Sequence, residues 1–453
     1  MDKQLRFRRA RWAAAWSGAL LALAACGGGG GAGAPMAGPG TTEGPVGATA
    51  PAPAAGSLAP APTTSPVTSQ QQVNTTDAAE QNQPSVAQLA GGGHVIAWAS
   101  TPRSLQDPHP YRVCWRIYGA DSAPTGDETC IERPSVSGSS ATAVAALAGG
   151  GFLVAWHEID ESGNLDLLSV RADAGGQPVS TAQRVHAAGG GYQADLGAAG
   201  LAGGGAVVVW RDNDPQAIVV QRYAADGNPL GGETRVDSGA AGSRFFPVVA
   251  ALADGGFVVA WNAQQGTTLG TAVYVRRYLP DGTAAGPETL VSDPAVTSTF
   301  PRAAGLAGGG FVVGWNHGTE AAVQPFAADG SPQGGRTTLD PEWLQTAPDT
   351  CYRPYATSCP PYQVLGALAG TSDGGFVAAW GNNSGLSLSR GLFGRRFDAA
   401  GAALGPATQL VPPAFGQVAL AATAQAGFVL TWAGSDSDGG GILMRRHDGQ
   451  ALR

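Results

Sequence analysis

The chain has 453 residues and carries 26 basic against 34 acidic side chains, a formal net charge of −8. That balance has the wrong sign for a nucleic-acid binder, which needs clustered cations to displace counterions. Lys3 is the only lysine, so a mature chain without its first residues has no lysine for catalysis.

Residues 1–25 have the layout of a signal peptide: the cations Lys3, Arg6, Arg8, Arg9 and Arg11, then an apolar run from Trp12 to Ala25. The run is too short to span a bilayer. Leu23-Ala24-Ala25-Cys26 resembles the lipobox of bacterial lipoproteins, with an ordinary secretory signal as the alternative. The resemblance implies cleavage before Cys26, acylation of that cysteine and a membrane anchor. Gly27 stands where an aspartate tends to mark inner-membrane retention, which implies the outer membrane and leaves open the periplasmic or surface side. Loss of the leader removes five cations and Asp2, leaving a net charge of −12 from 21 basic and 33 acidic residues. Residues 26–69 are then the anchor and a Gly/Ala/Pro-rich segment with too little apolar surface to offset its ordering entropy, a disordered tether.

From residue 70 to 453 the dominant signal is self-similarity. "FPVVAALADGGFVVAWN" (Phe246 to Asn262), "FPRAAGLAGGGFVVGWN" (Phe300 to Asn316) and "GALAGTSDGGFVAAWGN" (Gly366 to Asn382) each give an apolar stretch, a Gly-rich turn and a second apolar stretch ending near Trp. The motif recurs at Trp98, Trp156, Trp210, Trp261, Trp315, Trp380 and Trp432, a spacing in the range of propeller blades. A third strand follows in most copies, as at Ile218 to Gly227 and Val273 to Gly282, with Asp226-Gly227, Asp281-Gly282 and Asp329-Gly330 placed where a tight turn needs positive φ. A short fourth strand completes the unit. The sequence thus predicts an all-β, seven-bladed β-propeller of four-stranded antiparallel blades. The last copy lacks its fourth strand, and "QQQVNTTD" (Gln70 to Asp77) is an orphan strand ahead of the first. An N-terminal strand completing the last blade would close the ring. The seven Trp are expected to be packing anchors. Arg222, Arg277, Arg396 and Arg446, each just before the third-strand aromatic, are expected to be structural.

"DGGFVVAW…YVRRYLPDGTAAGPE" is similar to the GGF-V-V-x-W and R-Y/F-x-x-D/A-G repeats of bacterial secreted and lipoprotein propellers, some attached to calcium-binding adhesin-like proteins. The resemblance implies fold far more than activity. Kelch glycines would end the second strand rather than precede it, and "TSDGGFVAAW" (Thr371 to Trp380) departs in spacing from a sialidase Asp-box.

Four cysteines follow Cys26 in two close pairs, and in an oxidising compartment Cys114 with Cys130 and Cys351 with Cys359 is the economical pairing. Function in a propeller sits on the loops after the second and fourth strands, which share a face. Three depart from the repeat: Thr101 to Arg112; Asp340 to Tyr362, with Trp343, Tyr352, Tyr355 and Tyr362 on a segment that Cys351/Cys359 would pin; and Gly434 to Gly441, with Asp436 and Asp438. In a closed ring, blade seven puts the third between the other two. Asp160, Ser162, Asn164 and Asp166 offer oxygens at alternate positions, a weak Ca²⁺ candidate lacking the glycine placement and bidentate glutamate of an EF-hand; a plain polar turn is the other reading. No nucleophile elbow, phosphate loop or transition-metal spacing is present, so no catalytic residue is assigned. The expectation is a membrane-anchored binding module for a protein, glycan or envelope ligand. Two further readings stay open: a carbohydrate-active hydrolase or lyase using channel carboxylates, and a structural part of an envelope complex.

Overall fold

A computed structural model describes residues 68–75, 79–103, 109–133, 141–159, 163–186, 192–214, 216–239, 242–264, 270–346, 361–384, 387–412, 416–423, 427–435, 440–448 and 452. A short strand, β1 (Gln71–Gln72), comes first. Blade 1 follows as β2 (Glu80–Gln88), β3 (His94–Thr101), β4 (Tyr111–Tyr118) and β5 (Thr129–Arg133). Blade 2 is β6 (Thr142–Ala146), β7 (Phe152–Ile159), β8 (Leu165–Ala172) and β9 (Gln183–Arg184). Blade 3 is β10 (Gln193–Gly200), β11 (Ala206–Asn213), β12 (Gln216–Tyr223) and β13 (Pro229–Arg235). Blade 4 is β14 (Arg244–Ala251), β15 (Phe257–Gln264), β16 (Thr271–Tyr278) and β17 (Thr289–Leu290). Blade 5 is β18 (Ser298–Gly305), β19 (Phe311–His317), β20 (Glu320–Phe326) and β21 (Thr337–Thr338), followed by the short helix α1 (Pro341–Thr346). Blade 6 is β22 (Tyr362–Gly370), β23 (Phe376–Ser384), β24 (Ser387–Phe397) and β25 (Thr408–Val411). Blade 7 has β26 (Val418–Ala422), β27 (Phe428–Gly434) and β28 (Gly441–His447), and its fourth strand is β1.

Each blade is thus a four-stranded antiparallel sheet, and each first strand neighbours the first strand of the next blade, including β26 beside β2. The ring is a seven-bladed β-propeller. Gln71 and Gln72 pair with Met444 and Leu443 of β28, and the buried Val73 and Asn74 extend the seam: Val73 N–H donates to Ile442 O at 2.8 Å, and Ile442 N–H to Asn74 Oδ1 at 2.7 Å. The orphan strand read from the sequence does close the last blade, leaving each blade only its outermost strand as an edge.

The core is divided rather than central. Among the described residues the buried apolar side chains form seven clusters, each spanning two adjacent blades, from Val144 with Trp115 between blades 1 and 2 to Ile96 with Met444 between blades 7 and 1. Runs such as Phe257-Val258-Val259-Ala260-Trp261 are apolar at every position because both faces of a second strand are covered. All seven repeat tryptophans are 2% exposed or less, which bears out their reading as packing anchors.

Arginines staple the blades along their outer half. Arg116, Arg276, Arg395 and Arg445, on third strands, donate to backbone carbonyls of the preceding blade at Val73, Val236, Leu339 and Leu410. Arg222 reaches the next blade's turn at Pro280 and Asp281, whereas Arg277 and Arg396 pair with Asp254 and Asp373 in the turns after the first strands of their own blades. The structural role expected for these three is what the structure gives them.

Candidate functional site

Antiparallel order puts the second-to-third-strand connections and the links to the next blade at one end of the ring, here called the upper end. First strands start there. In five of them the pairing slips by a bulge, between Asn82/Ser85, Ala194/Gly197, Phe245/Val248, Thr299/Arg302 and Leu365/Ala367. Four residues in these bulges have positive φ: Gln83 (55°), Asp195 (53°), Phe246 (51°) and Phe300 (52°). For a bulky residue this is a true outlier, a strain of about 1–3 kcal/mol. Proline follows Gln83, Phe246 and Phe300, and having no N–H it fits where the ladder is interrupted.

The preceding blade holds three of the strained turns, and the Leu365 bulge, in place. Phe246 N–H donates to Asp195 Oδ2 (3.1 Å), Phe300 N–H to Asn262 Oδ1 (2.9 Å), Leu365 N–H to Asn316 Oδ1 (2.8 Å) and Gln83 N–H to Gln417 Oε1 (3.0 Å). Asn262 and Asn316 directly follow the repeat tryptophans on their strands. In blades 4 and 5 the residue after Trp is therefore the lock of the next blade's bulge.

These bulges build an aromatic ledge at the upper mouth of the ring, on blades 3 to 5. The Phe246 and Phe300 ring centroids lie 4.6 Å apart, and Phe245 is 6.2 Å from Phe246. The Arg211 guanidinium lies 5.3 Å from the Phe245 ring and pairs with Asp195 at 2.7 Å. All five side chains are half-buried, so they keep a face toward solvent. Sequence reasoning saw the two Phe-Pro dipeptides only as repeat text. The signal that distinguishes them is a bulky aromatic before proline at the start of an inner strand, where blades 2, 6 and 7 have Ala141, Leu365 and Gln417.

The residues singled out from sequence are only partly in view. Cys114 and Cys130 are register partners on β4 and β5 and form a disulfide. Trp343 lies half-buried in α1, and Tyr362, half-buried, opens β22. Between them a buried polar knot fixes the base of the insertion. Asp340 accepts from Trp343 N–H (3.2 Å) and Asn382 Nδ2 (3.2 Å), Gln363 Nε2 donates to Asp340 O (3.1 Å), and Asn382 Oδ1 accepts from Trp380 Nε1 (3.0 Å). Burial lifts the Asp340 carboxyl above the usual carboxylate range. Asp166 gives one carboxylate oxygen to Arg184 (2.6 Å) and the other to His186 (3.2 Å). Asn164 lies in the turn before β8. Cys26, Asp160, Ser162, Cys351, Tyr352, Tyr355, Cys359, Asp436 and Asp438 lie outside the described residues. The three insertions do leave from the upper end, on or between blades 5, 6, 7 and 1, with Gln81 N–H donating to Gly440 O at 3.3 Å.

The seven inner strands contribute two carboxylates, Glu80 and Asp195, and the second is neutralised by Arg211. Among the described residues no group of three or more His, Cys, Asp or Glu is placed to hold a metal ion.

No protein-family model matches the sequence, and no curated protein matches it. Among solved structures, the chain is similar to puromycin hydrolase at 15% identity and a TM-score of 0.51, over 83% of this chain and 53% of that one. It is also similar to a protein of unknown function from Dyadobacter fermentans (12% identity, 85% and 99% covered, TM-score 0.48) and to an alpha-L-arabinanase from Penicillium chrysogenum (13%, 86% and 100%, 0.45). At such identities the likeness is one of fold, and it agrees with the propeller built above.

Proposed function

We propose that this protein is a lipid-anchored, extracytoplasmic binding propeller that recognises an envelope or extracellular ligand across its upper face. The observation that carries this reading is the ledge of Phe245, Phe246 and Phe300. Two of these rings stand on backbone that costs stability, and the preceding blade spends hydrogen bonds to keep them there. Strain held in place around half-exposed aromatics is a mark of a site shaped for contact rather than for packing. Aromatic faces beside a charged pair suit a ligand with an apolar face and polar edges, such as a sugar ring. The insertion at Asp340 to Tyr362 leaves the ring beside blade 5 and would extend the same surface. The anchor rests on the Cys26 motif and the tether that follows it.

Most glycoside hydrolases place two carboxyl groups on either side of the bond, and the inner strands supply Glu80 and an ion-paired Asp195. That favours binding over the hydrolase reading. The test is a screen of the mature chain against purified glycans and envelope extracts, with Phe246→Ala/Phe300→Ala and a deletion of residues 340–362 in parallel. A ligand that binds the mature chain and is lost from the double variant, which keeps its circular dichroism, is the expected result. Turnover of a glycan, or binding indifferent to both changes, would overturn the reading.

A further inference from the structure

One position on each inner strand lies opposite the residue that precedes the repeat tryptophan. Six blades fill it with small or apolar residues or a hydroxyl: Ser85, Ala143, Gly197, Val248, Ala367 and Ala419. Blade 5 fills it with Arg302, opposite Gly314. Its side chain runs along the wall to the next inner strand, where Nε donates to Gly366 O at 2.6 Å, and Nη1 donates to Pro301 O at 2.9 Å. Two anchors on backbone fix the guanidinium across blades 5 and 6.

A guanidinium carries five N–H donors. Two are spent on these carbonyls, which leaves the Nη2 amino group and one Nη1 hydrogen. No carboxylate pairs with Arg302 among the described residues. The side chain is half-buried, and burial draws its pKa down to about 10 with no nearby charge contributing, so at neutral pH it stays a cation that solvent only partly reaches. A planar fork held by two backbone contacts, with free donors and no counter-charge, matches an oxyanion. We propose that Arg302 forms an oxyanion subsite inside the ring, two residues below Phe300, which takes a carboxylate on its unused N–H groups. This subsite stands without the reading of the aromatic ledge. Where both hold, the ligand carries an acid group beside the ring that the ledge receives.

The test follows thermal unfolding of the mature chain at constant ionic strength as sodium acetate, or sodium glucuronate, replaces sodium chloride. Arg302→Gln and Arg302→Met are run in parallel. Bound ligand stabilises only the folded state, so the wild-type Tm should rise with acetate and the rise should vanish in both variants. In chloride alone both variants should still unfold in a single cooperative transition, so that a lost acetate response reports the subsite and not loss of the fold. A larger rise with glucuronate than with acetate assigns the site to the acid group of a ring-bearing ligand, and an equal rise assigns it to a free small anion. A wild type indifferent to both anions, or a rise that persists in either variant, overturns the subsite. Phe300→Ala in the same assay keeps the two claims apart: its acetate response should match the wild type even if the ledge binds nothing.

Discussion

The two ends of the propeller are built to different rules. At the lower end five of the seven blades repeat one device. The first residue of the second strand stacks on the last residue of the third, as in Phe257–Tyr278 (4.7 Å), Phe311–Phe326 (4.7 Å) and Phe376–Phe397 (5.0 Å). Two blades make the same clasp with histidine, His94–Tyr118 at 5.0 Å and Phe428–His447 at 4.9 Å. At the upper end the blades diverge: some inner strands bulge and some do not, and the bulge presents Phe in blades 4 and 5 but Gln, Asp or Leu elsewhere. A position filled alike in most blades answers to the geometry that all blades share. A position that varies while the backbone is held in strain answers to something outside the fold, and the difference separates scaffold from candidate site inside one repeat.

Removing a lower-end ring should therefore give the largest effect. Phe326 is 2% exposed and clasped by Phe311, so Phe326→Ala should cost about 3–5 kcal/mol in urea unfolding while leaving ligand binding untouched in what remains folded. The histidine clasps sharpen the same point through pH. Burial lowers the pKa of His94 and His447 to about 4, and that of His157, on β7, to about 3. These folded values lie below the unfolded one, so the unfolded chain binds protons first. Stability is complete above about pH 6.5 and falls as the pH drops toward 4. Each histidine contributes up to about 1.4 kcal/mol per pH unit over that window. His94→Phe with His447→Tyr, which restores the ring of the other blades, should leave stability at pH 7.5 little changed and reduce the acid slope to what His157 and His317, whose pKa burial also lowers, contribute. An unaltered slope would place the acid sensitivity elsewhere.

How much was legible follows from the same division. Blade count, strand order, the closing strand and the buried tryptophans could be read because each is written several times over, and repetition reveals a pattern that one copy would hide. The Arg116, Arg276, Arg395 and Arg445 staples escaped notice because their acceptors are backbone carbonyls, which no residue type announces. The aromatic ledge escaped because Phe246-Pro247 reads as strand; only the bulge, a tertiary event, turns its ring to the mouth. Asp340 looked like one acid in a loop, and its role as the buried base of the insertion depends on Asn382 and Gln363 from the next blade.

The Cys114–Cys130 disulfide tests a seam within one blade. It closes a loop with a sequence separation of 16, and replacing both cysteines by alanine should cost about 2–4 kcal/mol. The loss should appear in urea unfolding of the oxidised wild type against the variant and disappear under reductant. A variant as stable as the oxidised wild type would mean that the pairing of β4 with β5 already restricts the unfolded chain.

The smallest expected change in stability is the most informative, because it sets an upper-end ring against Phe326. In Phe300→Gly the residue at φ 52° becomes one for which that conformation is unstrained, a relief of about 1–3 kcal/mol. Against it stand the lost contact with Phe246, worth about 0.5–1.5 kcal/mol beyond area burial, the lost burial of a half-buried ring, about 1 kcal/mol, and the greater freedom of the unfolded glycine chain, about 0.5–1 kcal/mol. The terms largely offset one another, so the variant should lie within about 2 kcal/mol of the wild type, short of the cost of Phe326→Ala, and yet lose whatever the ledge binds. A substitution that removes a whole aromatic ring at so small a cost identifies a ring on which the fold hardly depends. If Phe300→Gly instead unfolds as readily as Phe326→Ala, the ledge is packing like the clasps below it, and the search for a ligand surface moves to the insertion between blades 5 and 6.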